Sequence, residues 1–211
     1  MRKLLIFDFD GVIVDSLEPI WKYIKNLCQQ KYHFHLASKK EFLSLFDGNF
    51  YTKLVDLGFP EENIKNLIKD FSEGLAIIYP STNIFPGVTE VLKNLSHQNE
   101  MFVISSSISN LIEKRLKQSN INCFNDVIGA DKELSKRIKI DELKKNNQGS
   151  ELFLVSDTVG DILEAKESGI LTIAVTWGYH SKEHLEGALP SFTIDKPEQI
   201  YKILKHSQLP V

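Results

Sequence analysis

Short apolar runs alternate with amphipathic segments along most of the chain, and this alternation restricts the fold more than any other feature. The runs cover residues 3–7, 101–105, 124–128, 152–156 and 171–175. Each run carries few or no charges, which is typical of strands covered on both faces of a sheet. Strands that alternate with helices favour a doubly wound, Rossmann-like α/β fold with a parallel sheet and right-handed crossovers.

The segments between these runs have helical spacing. Helices are predicted for residues 88–95, 111–118, 138–145 and 161–168. Ser135 precedes the third of them as a capping residue, and Gly169 follows the last as a helix stop.

Residues 16–83 break the alternation, because they show helical periodicity and no convincing strand. After a first helix, a second is predicted after Ser38, a third before Gly58 and a fourth near Pro60. This block follows the first strand and its loop directly, so it is predicted to be an all-α cap over the end of the sheet. The predicted division is an α/β core of residues 1–15 and 84–211, with a helical cap of residues 16–83.

The composition is that of an ordinary globular protein, with 42% apolar and 25% charged residues among 211. A net charge of −3 gives no reason to expect nucleic acid as a partner. Cys28 and Cys123 lack metal-ligand spacing and are interpreted as reduced thiols. Asp8 and Asp10 interrupt the first apolar run too early for a signal peptide, and no stretch approaches a membrane span. We expect a cytoplasmic protein.

Two carboxylates, Asp8 and Asp10, stand directly after the first apolar run. Open parallel sheets bind ligands at the carboxyl ends of their strands, and buried carboxylates there are costly without compensation. A hard cation such as Mg²⁺ would supply it, because this ion prefers carboxylate oxygens and keeps substrate phosphate in its shell. Gly11 permits a tight turn after the pair. The alternative is a loop with two solvated aspartates.

A second carboxylate pair, Asp157 and Asp161, follows another apolar run at the start of a predicted helix. Asp157 is placed to reach the same metal as Asp8. Asp161 could bind that metal or orient its surroundings. Alternatively, Asp161 is a first-turn residue favoured by the helix dipole.

A serine cluster, Ser105 to Ser107, follows the middle apolar run and precedes a helix. Hydroxyl and backbone N–H groups at a helix N-terminus form a phosphate site, and Ser105 is the best candidate. Capping of the helix by Ser107 or Ser109 is compatible with that role. The basic group that a phosphate needs is sought in residues 131–139, where a lysine taken alone is more often a solvated helix residue.

These segments together resemble the haloacid-dehalogenase-like hydrolases, in the subgroup similar to phosphoglycolate phosphatases. The resemblance covers nearly the whole chain. Its most specific motif is DFDGVIVDS at residues 8–16, and its second is DTVGD at 157–161, followed by Ala165 and Gly169. Residues 175–179, VTWGY, look like the loop after the last main strand of these relatives.

The resemblance implies a Mg²⁺-dependent phosphatase with a phosphoaspartate intermediate. Asp8 would attack phosphorus, and Asp10 would protonate the leaving oxygen and then activate water. The metal would be held by the Asp8 carboxylate, the Asp10 backbone carbonyl and Asp157, with Asp161 nearby. A halide leaving group needs no proton, so the acid at Asp10 favours phosphoryl transfer over dehalogenation.

The resemblance also implies how the phosphate is held. The predicted phosphate contacts are Gly11, Ser105, Ser106 and Lys136. Ser106 stands where relatives often carry Asn, and Arg137 follows Lys136 where they often carry Pro. Lys136 is preferred because Ser135 marks the helix start, with Lys139 and then Lys132 as alternatives. Ser105 and Lys136 are counted with Asp8 and Asp10 as catalytic.

Other residues have less specific patterns. His180 and His184 have i, i+4 spacing that could hold a metal, but without a third ligand we interpret them as surface residues of a short helix. Residues 46–50, FDGNF, are a candidate substrate loop or a plain helix–helix turn. Trp177 and Tyr179 either edge the active site or pack in the core.

The substrate is expected to be a small phosphorylated metabolite: phosphoglycolate, a sugar phosphate, a nucleotide monophosphate or a pyrophosphate. One alternative function is a sugar phosphomutase with the same chemistry. Another is a non-catalytic phosphate-binding regulator that resembles a response-regulator receiver. No membrane partner is expected, and the protein is expected to be a monomer or a homodimer.

Overall fold

A computed structural model describes residues 2–206. The strands are β1 Arg2–Phe7, β2 Val14–Asp15, β3 Asn83–Ile84, β4 Glu100–Ile104, β5 Asp126–Ile128, β6 Ser150–Ser156, β7 Leu171–Val175 and β8 Phe192–Ile194. The helices are α1 Leu17–Lys31, α2 Lys39–Ser44, α3 Phe50–Asp56, α4 Ile64–Ile78, α5 Val88–Ser96, α6 Ser109–Gln118, α7 Lys136–Asn146, α8 Val159–Glu167, α9 Lys182–Gly187 and α10 Ile200–His206. Six strands form a parallel sheet in the order β5-β4-β1-β6-β7-β8. The predicted α/β fold is confirmed.

Strand β1 lies inside this sheet and is buried on both faces. Leu5 and Phe7 point into one apolar cluster, and Leu4 and Ile6 into the other. These side chains are at most 2% exposed, which is why the strand reads as a continuous apolar run rather than an alternating one. Because β1 pairs with both β4 and β6, its carboxyl end emerges between theirs.

The helical insert between β1 and β4 contains α1 to α4. At its two ends, β2 and β3 pair in antiparallel fashion, with Val14 opposite Ile84 and Asp15 opposite Asn83. These paired strands lie where the predicted boundaries fall, between residues 15 and 16 and between 83 and 84. The division into a core and a cap with those boundaries remains a proposal.

Several short elements differ from the sequence prediction. Strand β5 begins at Asp126 rather than at residue 124, because Phe124 instead packs edge-on against Phe7, with ring centroids 5.9 Å apart. Strands β2, β3 and β8 and helix α10 were not predicted, since elements of two to seven residues hold little periodicity. Both cysteines are free thiols. Among residues 2–206, no helix is long and apolar enough to cross a membrane.

Candidate active site

Three neighbouring strands end at the same edge of the sheet and bring the predicted site residues together. Asp8 follows β1, Ser105 follows β4 and Asp157 follows β6. All three are at most 5% exposed. Parallel pairing of β1 with both neighbours therefore converts separate sequence motifs into one cluster.

The Asp8 carboxylate is fixed by its own backbone and by a lysine. Its Oδ1 accepts a hydrogen bond from the Phe9 N–H at 2.7 Å, and its Oδ2 lies 2.9 Å from Lys136 Nζ. Burial, opposed by the charge of Lys136, raises the pKa of Asp8 well above its usual range. The carboxylate is presented at the end of a rigid central strand, which suits a nucleophile.

Lys136 lies at the start of α7 and bridges two carboxylates. Its Nζ is 2.6 Å from Asp161 Oδ2 and 2.9 Å from Asp8 Oδ2. Burial alone would lower the pKa of Lys136, but Asp161 and Asp8 raise it above its usual value, so the ammonium stays charged. Ser156 Oγ also donates to Asp161 Oδ2, at 2.6 Å. Burial raises the pKa of Asp161, but Lys136 outweighs it and the net pKa is lowered.

Asp10 is held by three hydroxyl groups, one from its own loop and two from distant parts of the chain. Ser16 Oγ donates to its Oδ1 at 2.7 Å, while Tyr79 Oη and Ser107 Oγ donate to its Oδ2 at 2.7 and 2.9 Å. Burial raises the pKa of Asp10, and the three hydrogen bonds oppose that rise. The carboxyl group is thereby oriented and favours the protonated form more than an exposed aspartate does.

Asp157 lies under two glycines and has one oxygen without a partner. A Cβ added to Gly11, where φ is +78°, would lie 1.9 Å from Asp157 Oδ2, and one added to Gly178 would lie 2.2 Å from it. Oδ2 accepts a hydrogen bond from the Tyr179 N–H at 2.7 Å. Oδ1 is buried and has no hydrogen-bond partner among residues 2–206. Burial raises the pKa of Asp157 to about 7.

A divalent cation fits these donors. An unpartnered buried carboxylate oxygen is costly, and a cation is the compensation that it lacks. The carboxylates of Asp8, Asp157 and Asp161 supply only oxygen, which matches Mg²⁺ rather than a soft metal. These side chains, together with the Asp10 backbone carbonyl, are the groups that would hold the ion.

The three candidate lysines have different partners. Lys136 contacts Asp8, whereas Lys139 donates to the Ser105 backbone carbonyl at 2.8 Å. Burial and the nearby charge of Lys136 lower the pKa of Lys139 to about 8. Lys132 is half exposed and pairs with Asp126 at 3.1 Å. The geometry thus puts Lys136 beside Asp8, whereas Lys139 holds the backbone at Ser105.

The serine cluster differs in part from the prediction. Ser105 Oγ accepts the Ser107 N–H at 3.0 Å, so it lies beside the cavity wall but is engaged in a turn. Capping of α6 by Ser107 or Ser109 is wrong, because the N-cap is Ile108, which makes no side-chain cap. Asp131 instead accepts the Ser109 N–H at 2.7 Å. This frees Ser107 Oγ to donate to Asp10.

The interpretation of His180 as a surface helix residue is also wrong. His180 is 5% exposed and precedes α9. Its Nδ1 accepts the Val159 N–H at 3.1 Å and its Nε2 lies 3.0 Å from the Leu43 carbonyl, so backbone groups use both ring nitrogens. His184 is exposed, as expected, and its Nε2 lies 2.6 Å from Asp47 Oδ1. Asp47, His180 and His184 lie close enough together to bind a metal ion. Both ring nitrogens of His180 are already hydrogen-bonded, however, so neither can coordinate a metal. We therefore interpret these residues as contacts that join the helical insert to the rest of the protein.

A cavity that is partly open to solvent lies between the helical insert and the sheet edge. Its walls include the predicted loop residues Phe46, Gly48, Asn49 and Phe50. Tyr179 lines it as well. Among residues 2–206, Trp177 does not line the cavity. Its Nε1 donates a hydrogen bond to the Val12 carbonyl at 3.2 Å. The lining also includes Asp8, Asp10, Ser105, Ser106, Lys136 and Asp161.

Ser16 and Tyr79 both hydrogen-bond Asp10, and the sequence analysis predicted this role for neither of them. Ser16 belongs to the first motif, where its position six residues after Asp10 gave the available signal. Tyr79 follows α4 in a short 3₁₀ turn, 69 residues from Asp10, and no sequence pattern links the two.

Residues 5–175 match the haloacid dehalogenase-like hydrolase family. The chain therefore belongs to this family, as its motifs predicted, and it is a phosphatase of the capped subgroup that resembles phosphoglycolate phosphatases. The phosphoglycolate phosphatase of Synechococcus elongatus is 26% identical over 202 residues, which cover 94% of this chain and 95% of that protein. The probable phosphatase IndB of Dickeya dadantii is 26% identical over 228 residues, covering 100% and 99%.

A solved structure of a predicted phosphatase from Clostridium acetobutylicum shares the fold. It superimposes with a TM-score of 0.83 at 20% identity, covering 97% of this chain and 99% of that one. The family assignment removes the non-catalytic, receiver-like alternative.

Proposed function

We propose that the protein hydrolyses a small phosphate monoester in a Mg²⁺-dependent reaction, with Asp8 as the covalent nucleophile. The observation that supports this most is the arrangement of Asp8, Lys136 and Asp10 at one sheet edge. The Lys136 ammonium lies 2.9 Å from Asp8 Oδ2. The carboxyl group of Asp10 is oriented by three hydroxyl groups.

In the first step, an Asp8 carboxylate oxygen attacks phosphorus and forms an aspartyl-phosphate. The ester P–O bond breaks, and its electron pair stays on the leaving oxygen. Asp10 gives its proton to that oxygen, so the alcohol leaves neutral. The raised pKa of Asp10 supports its being protonated when the substrate binds.

In the second step, water attacks the aspartyl-phosphate at phosphorus. Asp10, now ionised, takes a proton from the water, and the bond between phosphorus and the Asp8 oxygen breaks. Inorganic phosphate leaves, Asp8 is again a carboxylate and Asp10 is again protonated. The same carboxyl group therefore acts as acid and then as base, for which its fixed orientation is suited.

The remaining site residues are proposed to offset the negative charge of the phosphoryl group or to border it. When bound by Asp8, Asp157, Asp161 and the Asp10 carbonyl, Mg²⁺ would neutralise charge on the transferring phosphoryl group. Lys136 offsets charge on the same group and on Asp8. Ser105, Ser106 and the turn at Gly11 are proposed to border the phosphate.

The test is phosphate release from a panel of monoesters with Mg²⁺, comparing wild type with Asp8→Asn. Asp15→Asn is the matched control, because Asp15 belongs to the same motif but is exposed. We expect Asp8→Asn and a chelator each to abolish release, and Asp15→Asn to retain it. Full release by Asp8→Asn would contradict the proposal, and isomerised sugar phosphate with little free phosphate would favour the mutase. A cytoplasmic location and the oligomeric state remain predictions.

A further inference from the structure

The wall of the cavity that the helical insert contributes is apolar. Its side chains are Ile20 from α1, Phe71 from α4, and Phe46, Phe50 and Tyr51 from the segment around α3. Phe46 and Phe50 lie with ring centroids 5.2 Å apart, and Phe46 meets Tyr179 edge-on at 5.1 Å. The part of a substrate that projects away from Asp8 therefore faces an aromatic surface.

The polar side chains on this wall, Asn49 and Tyr51, are largely engaged by the protein itself. Asn49 Oδ1 accepts the N–H groups of Tyr51 and Thr52, and its Nδ2 donates to the Leu134 carbonyl at 3.2 Å. Tyr51 Oη donates to the Ser106 carbonyl at 3.1 Å. One Asn49 amide N–H and the Tyr51 hydroxyl oxygen as an acceptor are what these contacts leave, so a ligand with several hydroxyls would lose more hydrogen bonds to water than the side chains of the insert return.

The charges around the cavity disfavour a second anion on the substrate. Among the lining residues that the structure describes, Lys136 is the one lysine or arginine, and its ammonium is held between Asp8 and Asp161. Glu164 also lines the cavity. A carboxylate on the organic part would meet this acidic charge with no free cation to pair with.

We propose that the organic part of the substrate is an uncharged apolar group, such as an aryl or arylalkyl group, rather than a carboxylate or a sugar. This rests on the proposed function, because it takes the phosphate to lie at Asp8. Burial of a ring on the aromatic wall supplies binding energy, whereas glycolate would supply none and add repulsion.

The test is the affinity of two non-hydrolysable phosphonates for the wild-type protein in excess Mg²⁺, measured by calorimetry. Benzylphosphonate presents a ring, and phosphonoacetate presents a carboxylate of the phosphoglycolate type. We expect benzylphosphonate to bind at least about tenfold more tightly, the scale on which an apolar pocket discriminates. Equal affinities, the reverse order, or no binding of either compound would overturn the proposal.

Variants of the insert identify the wall that causes the preference. Phe46 is only half-buried, so Phe46→Ala is compatible with folding, which a thermal melt checks. We expect it to weaken benzylphosphonate binding about tenfold and to leave phosphonoacetate binding unchanged. Leu57→Ala, an exposed position on the insert away from the cavity, is the control and should change neither. Equal weakening of both ligands by Phe46→Ala would contradict the assignment.

Hydrolysis assays separate this proposal from the proposed function. Benzyl phosphate and phosphoglycolate both have alcohol leaving groups, so their kcat/KM ratio reports recognition more than leaving-group reactivity. We expect the ratio to follow the phosphonate affinities. Because phosphonates bind without reacting, their order decides the substrate class even where no ester is hydrolysed, and an absence of hydrolysis counts against the proposed phosphatase mechanism alone.

Discussion

At the scale of single residues, the hydroxyls around Asp10 are the least expected part of the site. A carboxyl group that must donate and then accept a proton has to keep one orientation through both steps. Tyr79 matters most here because it lies at the end of the helical insert, whereas Ser107 lies between strand β4 of the sheet and helix α6. The Asp10 carboxyl group thus accepts hydrogen bonds both from the helical insert and from a residue that follows a strand of the sheet.

Tyr79→Phe removes one of these hydroxyls and keeps the ring. We expect kcat to fall on the order of tenfold or more with KM nearly unchanged, because a hydrogen bond to a charged group contributes ~1.5–3 kcal/mol. Tyr32→Phe is the control, since its hydroxyl donates to Asp70 and neither residue lines the cavity. It should lower stability and leave kcat unchanged. A parallel fall in kcat for both variants would contradict a positioning role for Tyr79.

Replacement of the lysines distinguishes the three sequence candidates. We expect Lys136→Met to lower kcat about 10²–10³-fold, the usual cost of losing one group that stabilises transition-state charge. Lys132→Met should retain activity, because Lys132 pairs with Asp126 on the surface. Steady-state kinetics on purified, folded variants measures this. Activity retained by Lys136→Met would move the role to Lys139.

At the scale of elements, the segment from α2 to α3 is pressed against α8. A Cβ on Gly160 would lie 2.6 Å from the Gly48 carbonyl oxygen, so only glycine allows this approach. His180 and Asn49 add hydrogen bonds across the same junction. The loop at residues 46–50, which lines the cavity, is therefore placed by contact with the helix that carries Asp161.

Gly160→Ala should displace that loop. Overpacking costs roughly 1–3 kcal/mol, and we expect KM to rise on the order of tenfold as the cavity wall shifts. Gly187→Ala is the matched control, because Gly187 is also helical and its added Cβ would meet no atom within 4 Å. An unchanged KM in Gly160→Ala would show that the loop is not held by this contact.

At the scale of the whole molecule, the contacts that follow from the parallel sheet could be predicted from the sequence, and the other contacts could not. Apolar runs and the acids that follow them predicted the parallel sheet and the meeting of Asp8 with Asp157, because parallel strands end at one edge. The contacts of Tyr79 with Asp10 and of His180 with Leu43 join segments that only tertiary packing brings together. No local pattern encodes them, so the sequence could not predict them.

Mg²⁺ should stabilise the folded protein as a whole. The ion would bind the crowded carboxylates of the native state, and at about a hundredfold excess over Kd this adds ~2.7 kcal/mol to the free energy of unfolding. We expect Mg²⁺ to raise Tm in wild type and much less in Asp157→Asn. NaCl at matched ionic strength is the control. An equal rise in the variant would argue against Asp157 as a ligand.

The most direct test of the central claim is to trap phosphate on Asp8. Asp10→Asn is mixed with p-nitrophenyl phosphate and Mg²⁺, because this leaving group needs no proton while hydrolysis of the aspartyl-phosphate still needs the base. After an acid quench, mass spectrometry of peptides should show one phosphoryl group on Asp8, with a matching burst of nitrophenol. Nitrophenol release without phosphorylation of Asp8, or phosphorylation of another residue, would contradict the account.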